Sequence, residues 1–368
     1  MRISLVSINS LTSIPVIRFI VEYLYDKGDS LTISETHLSD SNSYFKESKR
    51  LRLNYYRVFK CYNDSLESTK KNFFSKYVKL ARVVFRQMKL SDCIYTNDFQ
   101  VLFLVFILKY FVSKPVKIVY HQFEVIAEEK LNRVNKFLLK IVIRNINHVS
   151  LAILPEQNRL EYFISQTNYK GETCLIPNSC QLSEVKLDVG KVAKKKTILH
   201  VGSVGGANHY FDSILKVMEI LKDKPIDFVF VGRQSKEVKE KFESLSLPNA
   251  TFYDSVPHEE LLVYYRRADL GLILYKDTGI NYKYCAPNKL YEMWSNGLPV
   301  IGHTLDGLVN VFKKKIQGEL VDFEDEEMLA AVILNFHPDM NVKSKLLTYF
   351  ENKLEIDHFL PLLDKINK

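Results

Sequence analysis

Strands that alternate with amphipathic helices on both sides of a polar, lysine-rich break predict an α/β protein of two Rossmann-like domains. The length of 368 residues fits that division at roughly 150 residues per domain. A composition of 46% hydrophobic and 26% charged residues, with only 13 Gly and 11 Pro, excludes a disordered, collagen-like or disulfide-scaffold chain.

The first domain is expected over residues 1–180. It reads as strand Ile3–Ile8, helix Ile14–Lys27 closed by Gly28, and strand Leu31–Ser34. A basic amphipathic helix covers Lys70–Lys89. Strand Asp92–Thr96, apolar helix Phe99–Val112 and strand Val116–Tyr120 come next, then helix Leu131–Arg144, strand Ser150–Leu154, helix Glu156–Ser165 and strand Thr173–Ile176. Residues 181–196 are polar and aperiodic, as expected of a linker.

The second domain is expected over residues 197–340. Strand Thr197–Val201 runs through Gly202–Gly206 into helix Tyr210–Leu221, and strand Asp227–Val231 runs through Gly232-Arg233 into helix Lys236–Leu245. Strand Ala250–Tyr253, helix His258–Arg266, strand Leu270–Leu274, helix Asn288–Asn296 and strand Pro299–Gly302 complete the series. Residues 341–368 are expected to form helices crossing back to the first domain. The acidic run Asp322–Glu327 reads as N-terminal charge for a helix over Met328–Phe336.

Charge is uneven along the chain. Residues 1–180 hold 26 Lys and Arg against 16 Asp and Glu, a balance of +10, whereas the remainder balances at −2. In Lys70–Lys89 the basic residues interleave with bulky apolar ones, a pattern that predicts contact with an anionic membrane surface. Zinc-knuckle spacing, RNA-binding aromatic motifs and Arg-rich arms are all missing, so no nucleic-acid partner is expected. The apolar stretch Val101–Leu108 is shorter than the ~20 residues of a membrane span. The N-terminal stretch has polar interruptions that a signal peptide lacks. Cys61, Cys93, Cys174, Cys180 and Cys285 form no C-x-x-C pair and are expected to be reduced. Together these features predict a cytoplasmic protein, peripheral at the inner face of a membrane.

The segment Cys285-Ala-Pro-Asn-Lys-Leu-Tyr-Glu carries the chemistry. Pro287 suits the first turn of a helix, whose unpaired N–H groups together with Lys289 make an anion site. Glu292 lies one turn further on the same face. A carboxylate there repels phosphate and accepts hydrogen bonds from a vicinal diol, so diphosphate and ribose fall in nucleotide order. The turn Gly202–Gly206 is of the kind that lets backbone approach a pyrophosphate. In the first domain His121 ends a strand at the edge where open parallel sheets bind ligands, and imidazole ordinarily titrates near neutral pH. Glu124 is placed to orient it or to touch a second substrate. No D-x-D and no metal-ligand spacing occurs, so neither a catalytic metal nor a cofactor is expected.

The succession "ILHVGSVGG", "FVFVGR", "NATFYDSVPHEELLVYYRRADLGLILY" and "APNKLYEMWSNGLPVIG" resembles the donor-binding half of the family 4 retaining glycosyltransferases of the GT-B fold. "CIYTNDFQ", "KIVYHQFEVI" and "LAILPEQNRLEYF" resemble that family's N-terminal strand ends. The resemblance implies two Rossmann-like domains facing each other across a cleft, whose closure excludes water. It also implies metal-independent transfer from a nucleotide-diphosphate sugar, with uridine diphosphate the expected donor, to a glycan or lipid-linked acceptor in surface polysaccharide synthesis.

By the same resemblance Glu292 binds the ribose, and Asn288 and Lys289 face the diphosphate. Gly205 and Gly206 approach the donor phosphates, Arg233 lies near the base, Asn281 lies in the donor-sugar loop, and His121 faces the sugar. Three positions depart from the family pattern. Tyr284 stands where the first motif glutamate belongs, and Ser203 and Asn208 stand where Arg and Lys are usual. Lys289, backbone amides, Arg233, Lys276 or Lys283 must then meet the diphosphate charge. A nucleotide-sugar epimerase of the same fold and a non-catalytic binding subunit are the alternative readings.

Overall fold

A computed structural model describes residues 1–9, 11, 14–38, 53–61, 70–178, 195–245, 247–257, 260–313, 315–337, 341–346, 362 and 365–366. The chain forms two compact units, Met1–Gln181 together with Ile356–Lys368, and Leu182–Glu355. Most of the segment read as a linker, residues 181–196, lies outside the described residues, as does most of the region beyond residue 346.

The first unit is built from β1 (Arg2–Val6), α1 (Pro15–Asp26), β2 (Ser30–Leu38), β3 (Asn54–Cys61), α2 (Lys70–Leu90), β4 (Cys93–Thr96), α3 (Phe99–Leu108), β5 (Lys117–His121), α4 (Arg133–Arg144), β6 (Leu151–Leu154), α5 (Gln157–Thr167) and β7 (Glu172–Leu175). Its seven strands are all parallel, in the order β3-β2-β1-β4-β5-β6-β7. Alternation along the strands divides the core in two. Ile3, Leu5 and Tyr95 pack with α1, while Val6, Ile94 and Ile118 pack with α2, α3 and α4. Leu362 and Ile366 join the α1 side, and Lys117 Nζ donates to the Ile366 carbonyl at 3.1 Å.

Local chemistry moves several boundaries. Asn132 caps α4 through a 2.8 Å bond from the Asn135 amide, so that helix starts two residues later than its apolar pattern. The predicted helix Phe99–Val112 stops at Leu108 and tightens into one 3-10 turn, Lys109–Phe111. Strand β3, which pairs in parallel with the preceding strand β2, is absent from the sequence reading. The α2 positions Leu80, Val84 and Met88 are buried in the core. These three positions commit the described part of its apolar face to packing. Among the described residues no helix is long and apolar enough to cross a membrane.

The second unit contains β8 (Lys196–Val201), α6 (Phe211–Ile220), β9 (Ile226–Val231), α7 (Lys236–Leu245), β10 (Ala250–Tyr253), α8 (Leu261–Arg267), β11 (Leu270–Ile273), α9 (Ile280–Lys283), α10 (Asn288–Ser295), β12 (Val300–His303), α11 (Asp306–Val311), β13 (Gly318–Val321) and α12 (Glu326–Asn335). Six parallel strands run β10-β9-β8-β11-β12-β13. Pro287 is the N-cap of α10 rather than a residue of its first turn. Asp325 caps α12, its Oδ1 accepting from the Met328 amide at 2.9 Å, so the acidic run serves the helix start as expected. At the other end, Lys196 Nζ donates to the carbonyls of Ile333, Leu334 and Phe336 at 2.9, 2.8 and 2.6 Å. One ammonium thus satisfies the last carbonyls of α12 and ties them to the first residue of β8. Lys196→Met is expected to lower stability by about 1–3 kcal/mol in urea unfolding, the scale of hydrogen bonds from a charged donor.

Candidate functional site

In the second sheet the chain order reverses between β8 and β11, the kind of position where open parallel sheets bind ligands beyond the carboxyl ends of their strands. The loops that follow those two strands are stitched together. The Tyr210 amide donates to the Leu274 carbonyl at 2.7 Å, and His209 forms a bridge with Tyr275. The Gly202 amide donates to Val231, and the Val204 amide to Arg233, at 2.8 and 3.0 Å. Gly202, with φ of +108°, packs so closely on Gly232 that a Cβ on Gly232 would lie 2.1 Å from the Gly202 carbonyl oxygen.

Lys289, in the first turn of α10, points at this loop. A Cβ on Gly202 would lie 3.4 Å from Lys289 Nζ, and the ammonium sits 4.8 Å from the centre of the Tyr275 ring. The residue is half-buried, but its ammonium is enclosed, and desolvation pushes its pKa down to about 8 against the opposing pull of Cys285 and Glu292. Burial, and then the Lys289 charge, hold His200 well below its ordinary value. Half-buried Asn288 begins the helix. The first-turn amides of α10 add their partial positive charge to that of Lys289.

Glu292 is buried, and the Tyr265 hydroxyl donates to its Oε2 at 2.7 Å. Tyr265 is itself buried, on α8, and was not singled out from sequence. Its phenol looks like any core aromatic until the fold brings it to the carboxylate.

Asn208 holds the loop after β11. Its Nδ2 donates to the Tyr282 hydroxyl at 2.8 Å, its Oδ1 accepts from Thr278 Oγ1 at 2.7 Å, and its carbonyl accepts from the Lys276 amide at 3.0 Å. Asn281 is half-buried on α9, one residue from Tyr282. Tyr284 is the C-cap of α9 and also half-buried. The alternative cations are differently engaged. Lys276 Nζ lies over the Tyr210 ring at 4.9 Å, Lys283 pairs with Asp306 at 3.6 Å, and Arg233 is exposed. Gly205 and Gly206 both have positive φ, yet they differ in surroundings. A Cβ on Gly205 would strike Val238 of α7 at 2.1 Å, whereas one on Gly206 would meet nothing within 4 Å. Gly205 packs against Val238, and Gly202 is the glycine beside the Lys289 ammonium.

In the first unit His121 ends β5 and is completely buried. The Tyr95 hydroxyl pairs with its Nδ1 at 2.5 Å, and Phe123 packs on the ring with centroids 4.2 Å apart. Burial holds the Tyr95 phenol well above its ordinary value, so it keeps its proton and donates it to Nδ1. That assigns the imidazole proton to Nε2, a buried atom with no hydrogen-bond partner among the described residues. Desolvation pushes the His121 pKa down to about 3, which overturns the expectation that it titrates near neutral pH. Its orienting partner is Tyr95; Glu124 is exposed. Arg159, ion-paired with Glu156 at 3.3 Å in the interior, donates from Nη1 to the Phe123 carbonyl and so fastens the loop that carries Glu124. Among the described residues no group of three or more His, Cys, Asp or Glu is placed to hold a metal ion.

Residues 195–339, lying within the second unit, match the family model for glycosyl transferases group 1. Curated proteins give no significant sequence match. Solved structures match the whole chain at low identity. Sucrose-phosphate synthase from Thermosynechococcus elongatus is 15% identical, with 97% of this chain and 95% of that one covered and a TM-score of 0.67. The lipopolysaccharide outer core galactosyltransferase WaaB is 12% identical over 98% of each chain, with a TM-score of 0.69. Anabaena HepE in complex with UDP and glucose is 14% identical over 97% of this chain and 95% of that one, with a TM-score of 0.64. The fold is GT-B, and its second unit carries the group 1 glycosyl transferase pattern.

Two outcomes are expected. NMR of labelled imidazoles will show His121 neutral from pH 8 to pH 5, and, because an unfolded histidine protonates near about 6.5, its burial will erode stability as the pH falls below that value. Tyr265→Phe will cost about 1–3 kcal/mol in chemical unfolding, because it removes the hydroxyl that donates to Oε2 of buried Glu292.

Proposed function

We propose that the protein is a retaining glycosyltransferase that moves a sugar from a uridine-diphosphate donor to a hydroxyl of a glycan or lipid-linked acceptor. The observation that carries this reading is the enclosed Lys289 ammonium, set between the backbone of Gly202, the Tyr275 ring and the start of α10, one helical turn from buried Glu292. A diphosphate lying on Lys289 and the first-turn amides meets positive charge in a desolvated pocket, where electrostatic stabilisation is strongest. The ribose then meets Glu292, whose rotamer Tyr265 fixes.

In the reaction the bond between the anomeric carbon and the diphosphate oxygen breaks. The acceptor oxygen bonds to the same face, and its proton passes to the departing diphosphate. The protein supplies positioning and stabilises charge on the leaving group, and its own lysine and amides provide the cation without a catalytic metal. Arg233 lies by the base, and Gly206 and Asn281 line the donor. In the first unit exposed Glu124 is available to the acceptor. That WaaB is named a lipopolysaccharide outer core galactosyltransferase supports a surface-glycan acceptor, and the +10 balance of residues 1–180 supports action at the cytoplasmic face of a membrane.

A non-catalytic binding subunit is the second reading, favoured by Tyr284, which places no carboxylate at that position. Calorimetric titration with UDP, GDP and their sugars tests both. Saturable UDP binding is expected, at least about tenfold weaker in Glu292→Ala, on the scale of a lost charged hydrogen bond. Turnover of a bound UDP-sugar with acceptor distinguishes the enzyme from the subunit. In the same titration UDP affinity is expected to fall as the pH rises through about 8, where free Lys289 loses its proton. A pH-independent affinity that Lys289→Met does not change would contradict the assignment.

A further inference from the structure

The outer layer formed by α2, α3 and α4 has an unusual charge pattern. These three helices and the 3-10 turn after α3 contain no Asp or Glu; α2 carries seven Lys and Arg, the turn one, and α4 four. Helix α3 packs between the other two and is mostly buried, so the exposed stripes belong to its neighbours. On α2 the stripe is Lys79, Arg82, Arg86 and Lys89, at spacings of three and four residues. On α4 it is Arg133, Phe137, Lys140 and Arg144.

Where the three helices end, apolar side chains stand in water. Tyr110 is 76% exposed and Phe111 is 69% exposed, with Ile107 and Leu90 also exposed. Lys109 Nζ lies 5.2 Å from the Tyr110 ring centre, and the Lys109 charge helps to lower the pKa of His148, which follows α4. The nearby carboxylate of Asp92 is already engaged by Arg2 at 2.7 Å and Lys114 at 3.4 Å. An exposed aromatic pair gains nothing from water, and helix faces without carboxylates repel one another.

We propose that this surface docks on an anionic phospholipid bilayer, with Tyr110 and Phe111 inserted at the headgroup level and the α2 and α4 stripes lying on the lipid phosphates. The charge is complementary to that surface alone among bilayers, and an aromatic pair ringed by cations is the composition of an interfacial anchor. The assignment deepens the membrane setting of the proposed function. It differs from an amphipathic-helix mode because the apolar face of α2 is committed to the core.

The test is co-sedimentation with phosphatidylcholine vesicles, with and without phosphatidylglycerol, monitored alongside UDP titration. The protein is expected to bind only vesicles containing phosphatidylglycerol and to be released by high salt. Lys140→Ala and Arg144→Ala are each expected to weaken binding about fivefold, the effect of roughly one unit of surface charge. Tyr110→Ser combined with Phe111→Ser is expected to weaken it about tenfold or more, with unchanged UDP affinity and an unchanged circular dichroism spectrum. Equal binding to neutral vesicles, undiminished binding by both sets of variants, or self-association through Tyr110 and Phe111 without lipid binding would overturn the proposal. Lipid binding without UDP binding would overturn the donor-site reading and leave this one standing.

Discussion

A cation held away from water is the constraint on which the second unit is organised. Lys289 is kept at the carboxyl edge of the sheet by its place in the first turn of α10, and three neighbours are shaped around it. Gly202 has no side chain, which leaves room for the ammonium; Tyr275 offers its ring; and Glu292, one turn on, supplies a carboxylate that opposes desolvation. Enclosure pushes the Lys289 pKa down to about 8, so the side chain stays mostly cationic at neutral pH while much of its hydration has been given up. A group in that state gains more from a phosphate than a solvated lysine would, because the desolvation has already occurred.

The two units share a topology and differ in the side chain at the carboxyl edge of the sheet. Each has a parallel sheet with its order reversing beside the first strand, and each brings a basic side chain to the carboxyl edge. In the second unit that side chain is cationic and meets backbone dipoles. In the first it is a neutral imidazole with Tyr95 on one nitrogen and Phe123 against the ring.

Much of this was legible in the sequence because βαβ repetition leaves a strong local signal. The strand ends at Val201, Val231 and His121 and the start of α10 were placed to within a residue by alternation and punctuation alone. What escaped depends on long-range contact. Tyr265 becomes a partner of Glu292 only when the fold brings α8 to α10, 27 residues on. His121 was found by position but misread in charge, because its desolvation comes from Tyr95 and the surrounding core rather than from adjacent residues. Asn208 looked like the loss of a cation, and the structure gives it the task of bracing the loop after β11.

The most direct test is a crystal structure of the protein with UDP. The account predicts the β-phosphate on Lys289 Nζ and the first-turn amides of α10, with the ribose hydroxyls on Glu292. UDP bound elsewhere, or bound with its phosphates turned away from Lys289, would contradict it.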